Sequence, residues 1–538
     1  MEGRRCVYAL VLSSLMTVAS GAKVCADRDP NWSEAYAKGP MNAPETRHFM
    51  RELAEFVVSN HLKRTEGSAQ RGMIYEYFRV SRKGQHDQFI QGEALDTMHD
   101  GAWFAVAMVN AYRATGDAFY KEVLVRWQLP FYLAMLNRSD QLFSSEPNDG
   151  RPNDDRGWRT SKEWLLQGRE KGFVPYWWDD GASVSLEMLG RKDGDEHVNF
   201  AGHNDLKGVP NPQKRLSGYS HGSSNHMAQD LAVMIQQAWL LFRGSTDPVE
   251  RALAEQLAEA AKNLQACRAR HGSSGIPTVR AALALSTGDE SARAALPAQS
   301  WAMLRTARSD YRRTIVQFPA DQPVSVPGFA DDQQYGYYIA LARTGTLPHP
   351  DAFRLAYDAY TLPQLYRAYS DDAPVPPGIN VFDLHPYHFV NGKPKDVRSQ
   401  RKGPSGGPRP IGSRFGPQNM VVCGWALQAL RAYPGLWAEG KSEIQVPNYF
   451  PDVDEAQMKA FLERELGCGL RTWEAIYRFK GYIPTGLGTG GCGAGFAWDE
   501  LSDCGGYAHL ISAASQWILY LDGKNDWTQH GVSPRAAK

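Results

Sequence analysis

Ala114-Thr-Gly-Asp117 stands between two runs of helical character, Gly101–Thr115 and Ala118–Leu136. A glycine at this point can take the left-handed conformation that ends a helix, and the aspartate can satisfy the free N–H groups that begin the next. A link this short leaves the two helices antiparallel neighbours. The phrase recurs: Ser286-Thr-Gly-Asp289, Arg343-Thr-Gly-Thr346 and, more loosely, Arg243-Gly-Ser-Thr-Asp247 also lie between helical runs. Working outward, apolar residues recur at helical spacing over Pro44–Lys63, Met227–Phe242, Pro248–Cys267, Pro277–Leu285, Ser300–Arg313, Gln333–Arg343, Ala352–Tyr369, Gln418–Tyr433, Glu455–Leu466 and Tyr507–Leu521. Alternating strand patterns are scarce. The chain therefore reads as all-α, built from helical hairpins. The hairpins have no fixed period, which counts against a solenoid. The expected arrangement is an (α/α) toroid, an incomplete barrel of six to seven helical hairpins with long loops.

The 538 residues are 43% hydrophobic and 22% charged, an ordinary globular composition. Lys+Arg and Asp+Glu both total 59. A neutral chain is not the strongly basic kind that coats nucleic acid, so no nucleic-acid partner is expected. Arg4 and Arg5 precede an apolar run from Val7 to Val18, followed by small residues up to Ala22 and then Val24-Cys-Ala26. This order is that of a secretory signal, with cleavage expected after Ala22 or Ala26. The run is short for a membrane anchor. The expectation is a signal peptide over 1–26, a single catalytic domain over 27–538, a periplasmic or secreted location, and no membrane association after cleavage. In such a compartment Cys492 and Cys504 could close a short loop, with Cys468 competing for either. No Cys-x-x-Cys spacing suggests structural zinc.

Three loops interrupt the helices. Ser144–Arg159 is rich in Pro, Asn, Asp and Gly, and Asp193–Gly218 carries His197, His203, Asn204 and Asp205. Asp371–Pro417 holds Phe382-Asp-Leu-His-Pro-Tyr-His-Phe389 and seven basic residues, Lys393, Lys395, Arg398, Arg401, Lys402, Arg409 and Arg414. Loops of this length in a compact domain are functional or disordered. The basic cluster is a seat for an acidic polymer, or else a solvated loop.

Chemistry concentrates at Ser217-Gly-Tyr-Ser-His-Gly-Ser-Ser-Asn-His226, which runs into the apolar Met227–Phe242. His221, Asn225 and His226 stand where a helix N-terminus adds positive partial charge. They can serve an anionic substrate; alternatively, Ser224 or Asn225 is a helix cap and the histidines are incidental. Further on, Arg305-Thr-Ala-Arg-Ser-Asp-Tyr311 is followed by Arg312 and Arg313. Arginines favour a phenolate, so Tyr311 should titrate below the usual value of about 10, unless it is simply a surface tyrosine on a basic helix. An amide, histidine, arginine and tyrosine suit β-elimination on a uronic-acid polysaccharide. The carboxylate charge must be neutralised, a base must take the C5 proton, and an acid must protonate the leaving oxygen at C4. That reaction needs no metal and no organic cofactor.

Asn225-His226 entering a helix, with Arg305 and Tyr311 later in the chain, resembles the (α/α)-toroid polysaccharide lyases, and is most similar to polysaccharide lyase family 38, which acts on alginate or glucuronan. The resemblance implies Asn225 and Arg305 as carboxylate neutralisers, and His226 and Tyr311 as base and acid. The His226–Tyr311 gap is wider than in that group, which leaves Tyr335, in Asp331-Asp-Gln-Gln-Tyr335, as a rival proton donor. Substrate contacts are expected from His221, Trp177, Trp178, Tyr335, His385 and Tyr387, with Gln91–His99 and Tyr176-Trp-Trp-Asp-Asp180 lining the cleft; buried core is the alternative for the tryptophans. A second reading is an inverting glycoside hydrolase using two of Glu93, Asp96, Asp179 and Asp180 at roughly 6.5–9.5 Å. A third is a glycan-binding protein without turnover. A metalloenzyme using His203, Asp205, His221 and His226 matches no trusted zinc spacing.

Overall fold

The structure, a computed structural model, describes residues 32–64, 66, 71–75, 77–80, 89–90, 99–138, 171–172, 224–270, 388–390, 393–395, 415–432, 454–484 and 501–524. The segment 1–26 and the runs Pro277–Leu285, Ser300–Arg313, Gln333–Arg343 and Ala352–Tyr369 lie outside the described residues. Helix dominates what is described, and the fold is all-α.

In chain order the helices are α1 (Trp32–Ala37), α2 (Ala43–Asn60), α3 (Asp100–Thr115), α4 (Ala118–Val123), α5 (Leu129–Asn137), α6 (Ser224–Phe242), α7 (Pro248–Arg270), α8 (Phe415–Ala432), α9 (Glu455–Glu463), α10 (Gly469–Lys480) and α11 (Cys504–Leu521). π turns over Leu124–Gln128 and Arg464–Cys468 join α4 to α5 and α9 to α10 into single rods. The first rod contains Pro130, whose missing N–H breaks the regular α pattern; the wider turns just before it carry the chain past.

Residue pairs give the directions of the inner helices. His99 meets Asp230 and Arg113 meets Gln237, so α3 and α6 run the same way. Gly505 lies against Asp100, Trp103 against His509 and Asn110 against Ser512, so α11 runs with α3. Gly424 and Gln428 lie against Gln516, and Arg431 donates to the Tyr520 carbonyl, so α8 runs with α11. These four helices form a parallel inner layer in the order α8, α11, α3, α6.

The outer layer runs the other way. On α2, Arg47 pairs with Asp522, Met50 with Ser515 and Phe56 with Tyr507, which makes it antiparallel to α11. The α4–α5 rod turns back along α3 at Gly116, whose φ of 71° is the left-handed value the turn requires, and Asp117 caps α4 through the Phe119 N–H. Asp247 likewise caps α7, which folds back on α6. Outer helices pair with each other in parallel: Glu45–Arg471 and Glu52–Arg478 join α2 to α10, while Lys121–Glu250 and Asn137–Gln256 join the α4–α5 rod to α7.

The sequence distinguishes the two layers. In α11 every residue from Cys504 to Leu519 is buried, and in α3 every residue from Asp100 to Ala111. Both runs are nearly free of charge and rich in alanine and larger apolar residues, as a helix covered on all sides must be. Outer helices carry an apolar stripe only: in α2 the buried positions are Thr46, Phe49, Met50, Leu53, Ala54 and Val57. One contiguous core runs through both layers.

Short strands occupy one end. β1 (Tyr77–Val80) pairs antiparallel with both β2 (Phe89–Ile90) and β5 (Leu501–Asp503), and β5 leads directly into α11. A separate hairpin pairs β3 (His388–Val390) with β4 (Lys393–Lys395). Its position corrects the reading of Asp371–Pro417 as uninterrupted loop. The Asn391-Gly392 dipeptide between the strands is a strong two-residue hairpin signal. α8 also begins inside that expected loop, at Phe415.

Two other expectations change. The run ending at Leu466 continues to Lys480, because Gly467 is a packing glycine and not a helix stop: a Cβ there would stand 2.7 Å from Pro40 Cβ and 2.8 Å from Trp517 Cζ2. Cys468 is a buried free thiol, so it competes for no disulfide. Cys492, the other expected partner of Cys504, lies outside the described residues.

Candidate functional site

Parallel inner helices bring their N-termini to one end of the layer: His99-Asp100 of α3, Ser224-Asn225-His226 of α6, Phe415 of α8 and Cys504-Gly505 of α11. A helix N-terminus directs its first N–H groups and a positive partial charge outward, so this end favours anionic groups. Buried carboxylates occupy part of it. Asp503 caps α11, its Oδ1 accepting from the N–H groups of Gly505 and Gly506 at 2.8 and 3.4 Å. The Asp100 carboxylate lies against Gly505, where a Cβ would stand 3.0 Å from Oδ1; any side chain at 505 would crowd it.

Asn225 and His226 fall in the first turn of α6. Four residues on, Asp230 is fully buried and its Oδ2 lies 2.5 Å from His99 Nδ1. The other ring nitrogen of His99, Nε2, is 3.5 Å from Asp100 Oδ1. The imidazole thus sits between carboxylates of two helices, and its side chain keeps 13% of its exposure. A carboxylate only accepts unless protonated, so Nδ1 carries a hydrogen that it donates to Asp230. Sequence alone puts His99 on the cleft wall and gives it no partner. It does not single out Asp230 at all, although a lone carboxylate inside an apolar helical run is a signal that could have found it.

Beside this end, a second polar chain is sealed in the core. His61 Nδ1 faces the Tyr75 carbonyl at 2.8 Å and therefore donates to it. Its Nε2 then accepts from the Ser502 hydroxyl at 3.0 Å, Ser502 accepts from the Tyr507 hydroxyl, and Tyr507 accepts from the Ile483 N–H at 2.9 Å. Burial pushes His61 down to about 4 and holds the Tyr507 phenol well above its ordinary value. A serine beside a histidine suggests nucleophilic chemistry, but Ser502 and His61 are both 0% exposed, so this pair knits β5 to α2 and meets no substrate.

The other expected site residues, His221, Trp177, Trp178, Arg305, Tyr311, Tyr335, His385 and Tyr387, lie outside the described residues, as do Glu93, Asp96, Asp179, Asp180, His203 and Asp205. Among the described residues, no group of three or more His, Cys, Asp or Glu side chains is arranged to hold a metal ion, and no helix is long and apolar enough to cross a membrane. Comparison of the chain with family models, curated proteins and solved structures gives no match.

Proposed function

We propose that this chain is a secreted or periplasmic polysaccharide lyase that cleaves a uronic-acid polymer, alginate or glucuronan, by β-elimination on an (α/α) toroid of six to seven hairpins. The layering supports the toroid: an inner set of parallel helices, each followed or preceded by an antiparallel outer helix, is the arrangement that closes into one. The single observation that carries the functional reading is that Asn225-His226 opens α6, at the end where the inner helices direct their N-terminal partial charge. A substrate carboxylate is stabilised there.

Asn225 and Arg305 would neutralise that carboxylate, so that the enolate-like intermediate is tolerable. His226 and Tyr311 would take the C5 proton and return one to the leaving oxygen, and Tyr335 is the alternative donor. Aromatic side chains at Trp177, Trp178 and Tyr387, with His221 and His385, would hold the sugar rings.

The test is ultraviolet absorbance of unsaturated uronyl ends, followed while the mature protein meets alginate blocks, glucuronan, pectate and glycosaminoglycans. A rise on alginate or glucuronan is expected, and His226→Ala and Tyr311→Phe should each lose most turnover, on the order of 100-fold or more. New reducing ends without absorbance would overturn elimination in favour of hydrolysis. Binding without products would leave a glycan-binding protein.

A further inference from the structure

We propose that Asp230 is a positioning residue, acting through His99 to fix the rotation and register of the first turns of α6. The functional part of this inference rests on the lyase reading, in which those turns carry Asn225 and His226. Asp230 is the one carboxylate in the 19 residues of α6, and it is fully buried. An unpaired buried carboxylate costs several kcal/mol, so an aspartate on the covered face of an apolar helix must be held by a partner. His99 is such a partner, on the neighbouring helix, at 2.5 Å.

Apolar contacts alone specify the azimuth of a helix poorly, because similar side chains can slide past one another; one buried polar pair fixes it. At its far end α6 is pinned to α3 a second time, by Arg113 Nη1 donating to Gln237 Oε1 at 2.8 Å. The two pins lie about two turns apart on α6, and His99–Asp230 is the one near Asn225 and His226. Displacing a catalytic group by about 1 Å can cost about 100-fold in rate. The charged groups described around the His99 ring are Asp100 on its own helix and Asp230 on α6.

The experiment compares full-length wild type with His99→Ala and His99→Gln. The Gln amide keeps an N–H for Asp230, and Ala does not. Two readouts are taken: turnover of the polyuronate that wild type cleaves, and hydrogen exchange of the amides at the start of α6. The expected result for His99→Ala is kcat down about 10- to 100-fold with KM nearly unchanged, and faster exchange confined to the first two turns of α6. His99→Gln should recover most of both. A folded His99→Ala with wild-type kcat and wild-type exchange would overturn the proposal. So would His99→Gln failing as badly as His99→Ala, since the ring itself would then be what matters. If His99→Ala does not fold, Asp230→Asn, which keeps the shape and can still accept from Nδ1–H, is compared with Asp230→Leu on the same readouts. Loss in Asp230→Leu with recovery in Asp230→Asn is then expected, and equal behaviour of the two would overturn the proposal. If wild type cleaves no polyuronate, the lyase reading fails by itself, and the exchange data still decide whether the pair fixes α6.

Discussion

Gly424 on α8 leaves no room for a side chain: a Cβ there would stand 2.6 Å from the Cβ of Gln516 on α11. That contact sets how closely two inner helices approach. It also keeps Gln428 within hydrogen-bonding reach of Gln516. Gly424→Ala must push α8 and α11 apart, because both clashing atoms are close to backbone. The expected cost is about 1–3 kcal/mol, the range for overpacking a well-filled core. Gly244, in the turn between α6 and α7, has nothing within 4 Å of its would-be Cβ, so Gly244→Ala serves as the control and should change stability little. Urea denaturation of both variants checks the contrast.

Stability should fall in mild acid because of His61. Its folded value of about 4 lies below its ordinary 6.5, so between those values the unfolded chain binds the extra proton and the folded one does not. The contribution is fully present above pH 6.5 and is lost as pH falls towards 4. At about 1.4 kcal/mol per unit, the loss across the window is roughly 3 kcal/mol. Protonation would also turn Nε2 from an acceptor into a donor facing the Ser502 hydroxyl, which would then have to turn its own hydrogen away from the ring. His61→Gln removes the titration. Its unfolding free energy, lower than wild type at neutral pH, should be flatter between pH 6.5 and 4; a parallel slope in both proteins would contradict this account.

Asn42 begins α2 with a reciprocal cap. Its Oδ1 accepts from the Glu45 N–H at 3.0 Å, while Glu45 Oε2 accepts from the Asn42 N–H at 3.0 Å. The same Glu45 oxygen takes Arg471 Nη2 at 2.6 Å, which ties the start of α2 to α10. Both contacts hold the Glu45 carboxyl below its ordinary range, the Arg471 hydrogen bond most strongly. Asn42→Ala should cost about 1 kcal/mol in thermal or chemical unfolding. Glu52→Gln, which weakens the solvent-facing pairs with Arg478 and His48, should cost less than that.

The helical hairpins are legible in the sequence because their signals are local. Thr115-Gly116-Asp117 terminates and caps in one short phrase, and the buried stripe of α2 follows helical spacing. What sequence does not carry is long-range. The helical run read from sequence stops at Leu466, yet the chain runs on, since Gly467 answers to Trp517 and Pro40 and not to its own neighbours. The strand at Tyr77–Val80 is short, and its pairing with Leu501–Asp503 lies more than 400 residues away in the chain. The site divides in the same way. Asn225-His226 stands out as a motif, while His99 and Asp230 acquire meaning only when α3 and α6 lie side by side.

Cys423 and Cys468 should be inert towards thiol reagents in the folded protein. Both are buried, and burial pushes both thiols up, Cys423 well above its ordinary value with Glu465 adding to the effect. The thiolate is the reacting species, so raising the thiol and excluding the reagent act in the same direction. Alkylation read by mass spectrometry should leave both unmodified under native conditions. After denaturation without reductant both should react, because neither is tied in a disulfide. Cys468 recovered in a bridge from the denatured, unreduced protein would contradict this and revive its pairing with Cys492 or Cys504. It would also require the Arg464–Cys468 turn to move, since the close fit of Gly467 against Trp517 fixes the adjacent Cys468 in its buried position.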